Sequence, residues 1–319
     1  MVYQQTKLRN WISLSKLNWI NLSSNSNAIE LLKNNLNKIN WDLLSLNPNA
    51  IELLKENFDK INWFIISYNP NSLEILKDNL DKINWIRLSS NKNAIEILKA
   101  YPEKIDWNVL SSNPNAIQLL KDNLEKIEWN LLSTNINAIE ILKAYPEKIN
   151  WKFLSANKNA IDLLKENPKK IDWFYLSRNP NAIEILKDNP EKIDWNNLSI
   201  NHNAITILEN NINYINWNYL PLNLNAYNII KNNLDKINWC YLSGNPNTID
   251  LLEYNKDKIN WCYLSGNPAI FNYDYDLIKS NFKTLGEEII EKSLYPKRML
   301  RLMELYGEEE IYKCYFDEE

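Results

Sequence analysis

Apolar and polar stretches follow one another in this chain with a fixed beat. In "NWDLLSLNPNAIELLKENFDKI" (Asn40–Ile61) a tryptophan and three leucines precede a polar break. Ala50, Ile51, Leu53 and Leu54 follow the break, and an isoleucine closes the phrase. Tryptophan marks the beat at residues 19, 41, 63, 85, 107, 129, 151, 173, 195, 217, 239 and 261, each 22 residues after the last, with no insertion or deletion. Counted from the tryptophan, the unit reads W-x-x-L-S-x-N-P-N-A-I-E-L-L-K-x-N-P/L-E/D-K-I-N/D, and position 7 is asparagine in every copy. Loops drift in length, so a register this strict implies a rigid unit stacked on copies of itself.

The pattern predicts two short helices per unit. The first starts at the Asn or Asp of position 22, a favoured N-cap, with tryptophan as its first residue. The isoleucine just before the cap and the leucine at position 4 have the spacing of a hydrophobic staple. For the second helix, Asn47–Pro48 reads as N-cap and first residue, and Asn49 with Glu52 reads as a capping box. Asn57 is expected to end it in a left-handed conformation. Helices this short are unstable alone, so each unit must bury its Trp, Leu and Ile against its neighbours. The tryptophans are expected to form a buried internal column, and the array is expected to be an elongated particle about 100–120 Å long at helix-packing distances.

The fold class expected is therefore all-α, a solenoid of two-short-helix 22-residue repeats with N- and C-terminal caps. A leucine-rich-repeat-like α/β solenoid shares the period and the "L-S-x-N" motif. It requires alternating leucines in a strand, whereas position 2 reads Asp42, Phe64, Ile86, Asn108, Asn130 and Lys152. Three segments follow. Residues 1–18 are an N-terminal cap, because Trp11 stands only eight residues before Trp19 and looks like the first helix of a half-unit. Residues 19–266 form an array of about eleven repeats. Residues 267–319 form a C-terminal helical cap and acidic tail, with a second-helix-like stretch at Asn267–Asn281 and helices over Gly286–Leu294 and Pro296–Gly307.

Composition narrows the function classes. Asparagine supplies about one residue in six, while glycine occurs four times in 319 residues. A sheet protein rich in tight turns would need more glycine. The net charge of −4 offers no basic footprint for nucleic acid. No apolar run is long enough to span a membrane, and no secretory leader is legible in "MVYQQTKLRNWISLSKL". An intracellular protein is the expectation.

Nothing in the sequence points to catalysis, a cofactor or a metal. His202 is the one histidine, with no second to complete a metal site or relay. Cys240 and Cys262 occupy one position of consecutive units. Stacked helices lie about 8–10 Å apart, too far for a disulfide. Acidic position 12 and lysine position 15 lie three apart on one helix and can pair.

Two features suggest a partner surface. Position 3 carries Phe153, Tyr175, Tyr219, Tyr241 and Tyr263, a row that either covers its own neighbours or is offered to another protein. Around His202, Tyr214 and Tyr227 the unit departs from consensus, and Pro221 replaces the usual serine. These eight residues are the candidate binding residues.

The phrase "NPNAIEILKDNPEKIDWNNLS" (Asn179–Ser199) resembles the asparagine-rich repeats of proteins from mimivirus-like giant viruses, and "YPKRMLRLMELYG" resembles their usual ending. The resemblance covers nearly the whole chain and carries over no catalytic residue. It implies a viral protein of the host cytoplasm or the virion. The expected function is a non-enzymatic protein–protein interaction scaffold or adaptor with another protein as partner. The alternative is a self-assembling structural or virion-associated protein.

Overall fold

The computed structural model describes residues 6–307 and residue 311. The protein is an all-α repeat solenoid, and its described residues fall into two compact units. Residues 9–270 form the repeat body, and the two ends of the chain form the second unit.

The Trp151 unit shows how the sequence builds the body. Its first helix is Trp151–Ser155, capped by Asn150, whose side chain accepts from the Phe153 amide. Leu154 and Ser155 are fully buried. The second helix is Ile161–Glu166, and a 3-10 turn, Pro168–Lys170, leads to the next cap. The core is the leucine of position 4, the alanine of position 10, and the apolar pair at positions 13 and 14, such as Leu163 and Leu164. No leucine-rich strand forms: the segment where that rival needs one is helical.

Four details of the expected unit change. The second helix has Ala50 as its N-cap and no side-chain cap, so neither the Asn47 nor the Asn49 reading holds there. Asn47 instead accepts from the Asn49 amide, and Asn49 reaches the carbonyl of Ser26 in the preceding unit. The Asn-Pro cap is realised in two units, where Asn245 caps the 3-10 turn Pro246–Thr248 and Asn267 precedes the 3-10 turn Pro268–Ile270 and accepts from the Ala269 amide. Asn57 is not left-handed: at φ −128° its side-chain amide donates to the Leu53 carbonyl at 2.9 Å. The tryptophans are only half-buried. The position-20 lysine covers the exposed ring face, as Lys170 does over Trp151 at 4.6 Å and Lys192 over Trp173 at 4.7 Å.

Polar bonds join each unit to the one before. Asn157 Nδ2 donates to the buried carbonyls of Ser133 and Asn135, at 3.2 and 3.0 Å. Its Oδ1 accepts from the Asn159 amide at 3.0 Å. Ser155 Oγ donates to the Trp151 carbonyl and accepts from the Asp172 amide of the next cap. Only a primary amide offers two donors and an acceptor on so short a stem, which explains the invariance of position 7 along this chain.

The array does not stop at its ends. Asn25, in the Trp19 unit, donates to the carbonyls of Ser265 and Asn267 in the Trp261 unit, at 3.1 and 3.0 Å. The Asn18 amide meets Ser265 Oγ at 2.8 Å, and Asn27 meets the Pro268 carbonyl at 3.1 Å. These are the bonds of an internal joint, so twelve units close into a ring. Residues 9–18 are therefore not an end cap. Their "KLNW" (Lys16–Trp19) continues in the K-I-N-W register, with Leu14–Lys16 as the 3-10 turn and Lys16 over Trp261 at 4.9 Å. The last unit is split: Trp261–Ile270 supply its first part and Arg9–Asn18 its last. Arg9 clasps the two, its amide on the Ile270 carbonyl at 2.9 Å and its Nε on the Ala269 carbonyl at 2.7 Å. An elongated array is thereby excluded. First helices pack directly on one another round nearly the whole ring, Trp19–Ser23 on Trp261–Gly266 included, while successive second helices approach less closely. In a closed ring the closer-spaced layer has the smaller radius, so the first helices form the inner layer.

In the second unit, β1 (Thr6–Leu8) pairs antiparallel with β2 (Phe271–Tyr273), Leu8 opposite Phe271. The expected second helix over Asn267–Asn281 is thus replaced by a 3-10 turn, this strand and the start of a long helix, Tyr275–Ser293. A further helix, Pro296–Tyr306, ends at Gly307, whose φ of +91° suits a residue without Cβ. The acidic tail expected from Glu308 lies outside the described residues, except for Ile311.

Candidate partner-binding surface

The exposed residues of the inner helices occupy positions 2, 3 and 6. Positions 4 and 5 point away, Leu and Ser being buried in nearly every unit. The exposed set is apolar to a degree that the body does not require. Ile20, Leu46, Phe64, Tyr68, Ile86, Phe174, Tyr219, Leu222 and Tyr263 are all exposed there.

The position-3 row exists, in two pieces. Tyr219, Tyr241 and Tyr263 stand in succession with ring centroids 6.3 and 6.0 Å apart. Phe153 meets Tyr175 edge-on at 6.1 Å. Asn197 separates the pieces, its amide drawn back to Asp194. The contacts show that each ring partly covers the next, while Tyr219 and Tyr263 remain exposed. Packing along the stack and a free aromatic surface therefore coexist.

His202, Tyr214 and Tyr227 do not join this row. His202 Nδ1 accepts from the Leu224 amide at 3.2 Å, across a unit joint. Tyr214 occupies the lysine position of its unit and stacks on Trp195, at 4.8 Å and 18°. Tyr227 lies on a second helix and donates to the Asp250 carboxylate, which holds its phenol above the usual pKa. The sequence irregularity is thus spread over three kinds of element, and Pro221 accounts for part of it. Leu220–Leu222 is a 3-10 turn where other units have an α-helix.

Sequence reading missed the position-2 residues Phe64, Ile86 and Phe174, because it treated position 2 as a test of the strand model. Their signal was present: apolar side chains at a position with no buried role. Charge is also uneven. Positions 2, 3 and 6 of the whole ring carry Arg87, Lys152 and Arg178 but one acid, Asp42, in a chain of net charge −4. Between Ala156, Phe174, Tyr175, Arg178 and Asn197 lies a cleft of about 330 Å³.

Cys240 and Cys262 are free and exposed; Cys240 accepts from the side-chain amide of Asn260, the cap of the next first helix, and Cys262 from that of Asn21 in the Trp19 unit. No group of His, Cys, Asp and Glu among the described residues could hold a metal ion, and no described helix is long and apolar enough to cross a membrane. No family model, curated protein or solved structure matches this chain.

Proposed function

We propose that the ring is a non-enzymatic scaffold that binds another protein on its inner helices. One observation carries this reading: large apolar side chains stand exposed at positions 2, 3 and 6 while the core of every unit is already filled. Exposed apolar patches of this kind commonly mark interaction surfaces. The resemblance to giant-virus repeat proteins would place the protein in a host cytoplasm or a virion. Self-assembly remains the second reading only for the faces of the ring, since closure leaves no free terminal unit for end-to-end stacking.

The test replaces Tyr219 and Tyr263 by Ser in the full chain. Helix content should stay unchanged, because both rings are exposed, and capture of the native partner from infected-cell extract should fall at least fivefold. Undiminished capture with an intact fold would remove the tyrosine row from the binding surface. Concentration-dependent oligomers of the purified chain would favour self-assembly.

A further inference from the structure

We infer that the cleft between the Trp151, Trp173 and Trp195 units receives an aromatic side chain of the partner, flanked in the partner's sequence by carboxylates. The inference rests on the scaffold reading and names the chemistry of one subsite within it. Phe174 is 54% exposed and stands edge-on to Tyr175, with centroids 5.3 Å apart. Together with Tyr175 it presents an open ring surface beside the small side chain of Ala156. An incoming aromatic can meet these rings in offset or edge geometry, arrangements worth about 0.5–1.5 kcal/mol beyond area burial.

The cations define the rest of the ligand. Arg178 lines the cleft, and Lys152 lies over the Tyr175 ring at 5.3 Å. Positions 2, 3 and 6 of the four units from Trp129 to Trp195 contain no acid. The nearest carboxylates in sequence, Asp172 and Asp194, are engaged as helix caps, accepting from the amides of Tyr175 and Asn197. Two uncompensated cations beside exposed aromatic rings complement a ligand that is both aromatic and anionic. A guanidinium favours a planar carboxylate, which it can grip with two parallel bonds. Asn197 completes the rim: its amide nitrogen is held by Asp194 at 3.2 Å, leaving its carbonyl oxygen to accept a peptide N–H.

The cleft is open to one side and small, so a single subsite of this kind gives modest affinity. The experiment titrates the full chain into fluorescein-labelled peptides Glu-Glu-Phe-Glu-Glu, Glu-Glu-Ala-Glu-Glu and Lys-Lys-Phe-Lys-Lys, followed by anisotropy at low salt. The phenylalanine peptide with glutamates should bind at least fivefold more tightly than either other peptide, and binding should weaken at high salt, as screening of exposed charges requires. Phe174→Ala and Arg178→Glu should each lower it at least fivefold. Arg178→Glu should also reverse the preference towards the lysine peptide. Both side chains are exposed, and circular dichroism verifies that the variants fold. Equal binding of the first two peptides would overturn the aromatic subsite, and unchanged binding by both variants would overturn its location. Tighter binding of ATP than of any peptide, lost with the same variants, would overturn the peptide assignment in favour of a nucleotide. If the peptides fail while Tyr219→Ser still abolishes partner capture, the scaffold reading survives and this subsite does not.

Discussion

Two joints of the ring make the same bonds and differ in one respect. At the internal joint the chain runs continuously from the Trp129 unit into the Trp151 unit, and Asn157 reaches back to Ser133 and Asn135. At the closing joint Asn25 reaches Ser265 and Asn267 from the other end of the chain. The interface is thus a property of the unit and does not depend on covalent continuity. Asn27 repeats the position-9 bond there, reaching the Pro268 carbonyl at 3.1 Å. Arg9 adds contacts that an internal joint lacks. What chain connectivity supplies elsewhere, the closing joint supplies through hydrogen bonds of side chains and backbone.

The largest effect should come from removing the shared amide. Asn157→Leu leaves two buried carbonyls and one amide without their partner, at about 1–3 kcal/mol for each unsatisfied buried group. A loss of about 3–5 kcal/mol is expected in chemical denaturation. Asn25→Leu removes the same bonds and should cost a similar amount. Only Asn25→Leu should open the ring, and an increased radius of gyration in small-angle scattering would report it. Identical radii for both variants would mean that closure does not depend on Asn25.

A smaller effect is expected at the tryptophans, and it compares the joints through their covering lysines. Half-burial removes about 100 Å² from water, or roughly 2–3 kcal/mol at about 25 cal/mol per Å². Trp151→Ala and Trp261→Ala should both lose about that much, less than Leu154→Ala, for which full burial implies about 2–5 kcal/mol. Trp261→Ala should additionally expose residues 9–18 to protease, since Lys16 lies over that ring. Equal protection in both variants would show that the cation–aromatic contact does not help hold the ring shut.

The period, the first-helix caps and the buried leucines were legible in the sequence, because each follows from spacing within one unit. Closure was not. It depends on a small rotation per unit that no single residue encodes and that is expressed only when twelve units have accumulated it. Even so, "SLSKLNW" (Ser13–Trp19) matches the end of a unit, and the chain leaves the consensus at Ile270, where such an end is wanting. Trp11-x-x-Leu14-Ser15 also matches the start of a unit, and that competing match hid the split. Asparagine was legible by number but not by role, because bonds between units are invisible to a reading that places each residue on its own helix. The position-3 row was legible. The cleft beside it was not, since it combines residues of three units.

A third comparison tests whether a joint can be improved. Pro221 has no hydroxyl, so the Asn238 amide lacks the partner that Ser155 gives Asp172. Pro221→Ser should restore that bond and the first α-helical turn, stabilising the protein by about 0.5–1.5 kcal/mol. A loss of stability would mean that the 3-10 turn at Leu220–Leu222 is required by its neighbours.

The smallest effect separates the closing joint from the paired strands that flank it in sequence. The bonds of Asn25, Asn27 and Asn18 join neutral amides, hydroxyls and carbonyls, so the joint should be indifferent to pH. In the strand unit, Lys7 Nζ lies 3.3 Å from both Asp274 and Asp276. Its bond to Asp274, then that to Asp276, raises the Lys7 pKa. That contribution is complete below the ordinary lysine pKa and is lost as pH rises through the raised value. The Asp274 pKa is lowered, chiefly by the Leu277 amide and then by Lys7. That contribution is complete above the ordinary aspartate pKa and is lost as pH falls through the lowered one. Protection of the β1 and β2 amides against hydrogen exchange, corrected for intrinsic rates, should therefore be flat near neutrality and fall slightly at both extremes. Lys7→Met should abolish the alkaline fall and leave most of the acid one, because the principal partner of Asp274 is a backbone amide. Lys7 is well exposed and Asp274 partly so, and the changes should be small, as for other surface pairs. Protection at the Asn25 amide should not follow them, and a parallel change there would show that the strands and the closing joint open together.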